Sequence, residues 1–117
     1  METLKTINGD FIFKYKSLKG ADLSGLDLSF ANMEGADLRG ANLSFANLKD
    51  ANLKDACLSD ADMGGADLTN AWMEGVNLGG ANLEQADLSF ANLKHADMIG
   101  AELTNANLTH AILNGAN

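Results

Sequence analysis

The sequence predicts an all-β fold, a four-sided β-solenoid of about five coils, and three observations carry that prediction. A five-residue period runs from Ala21 to Gly115 without insertion or deletion, in 19 units. Each position within the unit has its own chemistry. The central residue is Leu in 15 units and Met in four (Met33, Met63, Met73, Met98), and two residues earlier stands Ala in 17, with Leu26 and Val76 as exceptions. Between them lies Asp or Asn in 15 units, the exceptions being Cys57, Trp72, Glu102 and Ile112. The third observation is a ladder of alternating charge at every twentieth residue: Lys14, Glu34, Lys54, Glu74, Lys94.

A period of five excludes the ordinary elements by geometry. On an α-helix each step of five turns the leucines by about 140°, which scatters them around every face. On a flat strand an odd period sends successive leucines to opposite faces. Only a backbone that bends once per unit aims every Ala and Leu inward. Asp, Asn, Gly, Ser and Thr are the residues such bends use, through side-chain bonds to the backbone and tolerance of positive φ. Four bends close a square, and four units of five make a coil of about 20 residues.

The charge ladder supports that closure. Residues one coil apart then sit about 4.8 Å from each other, and opposite charges are favoured as cross-strand neighbours. An exposed pair contributes only about 0–1 kcal/mol, so the ladder sets register more than stability.

The two ends read differently. Residues 1–20 are expected to cap the first coil, and residues 21–117 to form the helix. The cap has two readings. Residues 11–15 and 16–20 keep the phase, with Phe13 and Leu18 central, as a degenerate half-coil. Alternatively, residues 3–7 and 10–15 form a hairpin across Asn8-Gly9, a favoured two-residue turn. After Leu113 no capping segment is expected. Leu108 and Leu113, with Ile99 and Ile112 at normally polar outward positions, mark a candidate end-to-end homodimer contact.

Composition narrows the function. A chain of 117 residues is one small domain. With 8 Lys+Arg against 16 Asp+Glu its net charge is -8, which disfavours direct nucleic-acid binding and anionic membranes. No apolar run reaches transmembrane length, and the first residues do not read as a secretory signal. A single cysteine fits a cytoplasmic setting. Catalysis needs convergent groups in a concavity, and a filled prism offers none, so no enzyme, cofactor or metal site is expected. Cys57, His95 and His110 fall at scattered outward positions, and no His or Cys pair has a ligand spacing.

The surface is the candidate site. The first face comprises the units beginning at Ala21, Ala41, Ala61, Ala81 and Ala101, and carries Asp22, Asp62, Glu84 and Glu102 with no base. The second, beginning at Leu26, Ala46, Ala66, Ala86 and Ala106, carries Asp27, Asp50, Asp67 and Asp87 against Lys49. Together they total -7, about half of the roughly 14 charges on duplex DNA of the same length. The third face begins at Ala31, Ala51, Ala71, Ala91 and Ala111, and the fourth at Ala36, Ala56, Val76 and Ala96. Phe30, Phe45 and Phe90 occupy the fifth position, where Gly is commonest, and are read as covering apolar edges of neighbouring units. Trp72, flanked in its stack by Asn52 and Asn92, is a candidate interface anchor.

These repeats resemble the pentapeptide-repeat family, whose motif is A-(D/N)-L-x-x. The resemblance covers residues 21–117 and recurs 19 times in phase. It implies a right-handed quadrilateral β-helix and a non-enzymatic scaffold or regulator that binds a protein partner. The alternative it implies is a DNA-mimicking modulator of a type II topoisomerase such as DNA gyrase. Members of that kind carry projecting loops, whereas this repeat is uninterrupted.

Overall fold

The bend that the repeat demands is made by its fifth residue. In the computed structural model, which describes residues 17–117, every fifth position from Gly20 to Gly115 has φ between 57° and 76°. The amide of the following residue donates back across the bend, as Ala41 N–H does to the Leu38 carbonyl at 3.0 Å. That is the geometry of a type II turn, which needs positive φ at its third residue. Glycine supplies it without steric cost, yet 11 of these positions hold other residues.

Between bends the chain is extended just long enough to pair with the coils before and after it. Sixteen parallel bridges join residue i to residue i+20, from Ser17–Asp37 to Asn92–Ile112. Each side of the square is thus one short rung of a parallel sheet, and the chain is a right-handed quadrilateral β-helix.

Donor accounting for one unit shows why the repeat has the residues it has. Ala61 N–H closes the turn onto Leu58, and Asp62 N–H reaches the Ala41 carbonyl of the preceding coil. Met63 and Gly65 amides donate to Asn82 and Glu84 of the next coil. One amide is left, that of Gly64, and the Asp62 Oδ1 accepts it at 3.0 Å. The same bond recurs at all 15 Asp and Asn positions, at 2.9–3.2 Å. Without it a backbone donor lacks a protein partner.

The interior is dry and uniform. Alanines and central leucines or methionines from Leu23 to Ala96 are buried, and no polar or charged residue is buried among the described residues. Val76 is fully buried at the alanine position. Leu26, expected inside at the same position, is instead 44 % exposed. It lies in the first described full coil, with no described rung stacked before it on that side. At the other end Met98, Leu103 and Leu108 are only partly buried, and Leu113 is exposed.

Residues 17–20 form a regular rung, with Leu18 N–H on Asp37 at 2.7 Å and Gly20 N–H on Arg39 at 2.9 Å. The remainder of the expected cap, including the Asn8-Gly9 turn and residues 11–15, lies outside the described residues.

The repeated Asx bond gives a direct test. At Trp72 it is missing, and among the described residues the Glu74 amide has no acceptor. Trp72→Asn should therefore stabilise the fold by about 1 kcal/mol, whereas Asn92→Ala should destabilise it by a similar amount. Denaturant midpoints of both variants against wild type check the pair.

Candidate protein-interaction surface

Carboxylates reach the surface here because the turns require them. On the first face Asp22 Oδ1 accepts the Ser24 amide at 3.1 Å and its hydroxyl at 2.7 Å. Asp62 Oδ1 accepts Gly64 N–H and, at 3.2 Å, the Asn82 amide of the next coil. On the second face Asp27 binds Ser29 in the same two ways, while Asp67 and Asp87 accept the amides of Thr69 and Ser89. One oxygen of each carboxylate is committed to the turn. For Asp22, Asp27, Asp62 and Asp67 the other oxygen, Oδ2, accepts no hydrogen bond among the described residues, whereas the Ser89 and Thr69 side chains also reach the Asp87 carboxylate. Glu84 and Glu102 are exposed on the first face without such a commitment.

These bonds also set the protonation states. The Ser24 hydroxyl and then its amide hold Asp22 below the ordinary carboxylate value, and Ser29 does the same for Asp27. Asp87 is lowered by Ser89 and, more weakly, by Thr69. On the fourth face Arg39 forks onto Asp37, Nε to Oδ1 at 2.8 Å and the terminal nitrogen to Oδ2 at 2.7 Å. That pair holds the Asp37 carboxyl at about 2.

Arg39–Asp37 is the sole ion pair among the described residues. The ladder of Glu34, Lys54, Glu74 and Lys94 does stand in register on the third face, as the Asn32–Asn52, Asn52–Trp72 and Trp72–Asn92 bridges require. Its charged atoms do not come within 4.0 Å of each other. The long side chains stay in water, because an exposed contact barely offsets their lost freedom.

The edge between the second and third faces differs from the rest. Its five described turn positions are Phe30, Asp50, Asn70, Phe90 and His110, with φ of 59–62° and no glycine. Each of the other three edges contains glycine. A side chain in this backbone region costs about 1–2 kcal/mol, less for Asn and Asp. Two phenylalanines bear that cost here. Phe90 stacks on His110, with ring centroids 4.9 Å apart. On a neighbouring edge Phe45 lies over Gly65, where a methyl group would collide with its ring. Both fit the expectation that these rings cover adjacent coils.

Phe30 does something else. With Asn32, Asp50, Asn52 and Trp72 it lines a groove of about 440 Å³ that crosses the edge onto the third face. Phe30 is 47 % and Trp72 62 % exposed. The sequence places Trp72 in its own stack and Phe30 among the edge-covering phenylalanines, so the pairing is missed there. The available signal was that residues 30 and 32 adjoin across one bend. A shallower hollow of about 310 Å³ lies over Gly64 and Gly65 on the first face, beside Asp62 and Glu84.

The remaining candidates are placed simply. Ile99, Ile112 and Leu113 are exposed and Leu108 is half-buried on the final coil, where the Leu103, Leu108 and Leu113 amides donate no backbone bond among the described residues. Cys57 is half-buried with its sulfur 3.6 Å from Ser59 Oγ and 3.9 Å from Asn77 Nδ2. His110 is the ring stacked on Phe90. Among the described residues no three His, Cys, Asp or Glu side chains are grouped to hold a metal ion. No helix there is long and apolar enough to cross a membrane.

The family model described as Pentapeptide repeats matches residues 17–55, 46–85 and 86–117, with 8 copies. The chain belongs to the pentapeptide repeat family. The crystal structure of alr5209, a pentapeptide repeat protein from Nostoc Pcc 7120, is similar at 33% identity and a TM-score of 0.58, covering 92% of this chain and 99% of that one. Rfr23, a pentapeptide repeat protein of the cyanobacterium Cyanothece 51142, is 31% identical with a TM-score of 0.50, over 87% of this chain and 86% of that chain. QnrB1, a plasmid-mediated fluoroquinolone resistance protein, shares the fold at 22% identity and a TM-score of 0.51, over 86% of this chain and 68% of that chain. A search of curated proteins finds no match.

The carboxylate bonds predict acid sensitivity. Asp37 titrates at about 2 in the fold against an ordinary 3.8. A carboxyl lowered by folding contributes stability that is complete above its unfolded value and lost as pH falls through the folded one. Thermal midpoints should drop between about pH 4 and 2, with Asp22, Asp27 and Asp87 adding to the loss. Arg39→Ala should return the Asp37 carboxyl towards 3.8, as read by its NMR titration.

Proposed function

We propose that this pentapeptide repeat protein is a non-enzymatic scaffold or regulator that binds a basic protein partner through its first two faces. The observation that carries the reading is the net charge of -7 on those adjacent faces. Among the described residues every buried one is apolar, so the surface alone offers chemistry. The free Cys57 suits a reducing cytoplasm. No direct nucleic-acid or membrane contact is proposed, since the net charge opposes both.

A second copy meeting the apolar rim of Ile99, Leu108, Ile112 and Leu113 belongs to the same reading. It would bury a small area and give a weak dimer. The same acidic density favours one other reading, mimicry of DNA towards a type II topoisomerase such as gyrase. Inhibition or protection in a supercoiling assay would move the assignment there.

The experiment is a pull-down from the source cytoplasm with wild type and a Thr69→Lys/Glu84→Lys variant, which spares every turn-closing Asx. Partner capture should weaken with salt and fall about tenfold in the variant at low ionic strength. Equal capture by the two proteins would exclude the acidic faces. Sedimentation of wild type and Ile112→Lys over a concentration series decides the dimer, which a uniformly monomeric wild type would remove.

A further inference from the structure

We propose that the groove between Phe30 and Trp72 receives an arginine side chain of a protein partner, with Asp50 as its counter-ion. This deepens the protein-binding reading above and rests on it, while naming a site at the edge of the second acidic face, to whose charge Asp50 already contributes.

Trp72, one wall of the groove, breaks the repeat's Asx rule, and Phe30, the other, bears a backbone strain that glycine would avoid. Phe30 holds φ at 62° where glycine would be unstrained. Trp72 stands where Asn or Asp would close the turn, and the Glu74 amide lacks that acceptor. Departures of this kind, uncompensated locally, concentrate where a protein does its work. The other phenylalanines each lean on one neighbour, Phe90 on His110 and Phe45 on Gly65, and are more exposed than Phe30, which alone of the three borders the groove with Trp72.

The chemistry of the lining selects the occupant. Asp50 is the one ionisable residue among the five that line the groove. Its carboxylate accepts no hydrogen bond and makes no ion pair among the described residues, although Lys49 precedes it in sequence. Asn32 and Asn52 supply neutral polar atoms, joined by an Asn52 Nδ2 to Asn32 Oδ1 bond of 3.4 Å. Two aromatic faces beside a free carboxylate suit a cation, and a planar one best. Guanidinium stacks on rings, presents a fork to a carboxylate and is weakly hydrated, whereas ammonium gains less from each.

Size and surroundings agree. Phe30 and Trp72 stand two coils apart, about 10 Å along the axis at strand spacing. A hollow of about 440 Å³ between them admits a side chain rather than a folded surface. The groove opens on the edge of the second face, so a basic segment lying along the acidic faces reaches it by turning one corner. This chain's own Arg39 is already held by Asp37 on the fourth face.

Trp72 is the only tryptophan in the sequence, so its emission reports this site alone. Tetra-arginine amide is titrated against the full chain, with tetralysine amide and a neutral chitin oligosaccharide as competing chemistries, and total binding is followed in parallel by calorimetry. Arginine peptide should change Trp72 emission saturably and bind several-fold tighter than lysine peptide. Phe30→Gly, which installs the residue the bend prefers, and Asp50→Asn should each weaken it about three- to tenfold. Asp22→Asn, an equal loss of charge on the first face, should change it less than twofold.

Calorimetric binding without an emission change, or equal effects of Asp50→Asn and Asp22→Asn, would overturn the groove while leaving the acidic faces as the binding surface. Saturable emission change with the oligosaccharide but not the arginine peptide would make it a carbohydrate site and overturn the proposal. No binding by any probe would do the same.

Discussion

Everything in this fold depends on giving a partner to one backbone amide per unit. A chain that bends every five residues can satisfy four of its five N–H groups through the turn and the neighbouring coils. The amide two residues after the Asx position falls on the outside of the bend, where no other backbone reaches it. A short side chain with an oxygen at the right distance is the local solution, and Asp and Asn are the residues that have one. The most visible signature of the repeat is therefore a hydrogen-bond requirement written in sequence. Its by-product is acidity, since seven of the 14 acids in residues 21–117 are aspartates at that position. Fold and surface charge are consequently coupled, and exchanging Asp for Asn tunes one while preserving the other.

The interior carries much less information. Its Ala, Leu and Met layers are nearly interchangeable, and with no buried polar side chain among the described residues nothing inside distinguishes one coil from the next. Register comes from the parallel bridges and from the turn spacing, both of which are local to successive coils. Specific identity is left to the exposed positions: the residue after the central Leu, the fifth residue, and the four units that dispense with Asx.

The fold was legible because a period of five leaves few geometries open, and because Ala, Asx and Leu each keep one place in it. Register was legible in Lys54 between Glu34 and Glu74, although the contacts that ladder suggested are absent, since solvated side chains need not meet. Leu26 was misread because the pattern gives direction but not cover at an end of the stack. The acidic faces could be sorted by arithmetic, whereas the commitment of Oδ1 to the turn at Asp22, Asp27, Asp62, Asp67 and Asp87 needed coordinates. Phe30 and Trp72 escaped because stacks were read one at a time. Their meeting depends on how side chains splay from a bend in the left-handed region, which spacing alone does not encode.

Four-sided closure makes the sequence a record of angle as well as of order. One unit occupies a quarter turn, so removing five residues would leave an equally well packed core and yet rotate every later side chain onto the adjacent face. Loss of one unit between Phe30 and Trp72 would carry Trp72 from the third face to the second, scatter the acidic pattern downstream and cost the core almost nothing. Twenty residues, a whole turn, could go with all the remaining units keeping their faces. The surface is thus phased like a combination dial, in which the number of units between two side chains decides whether they share a face.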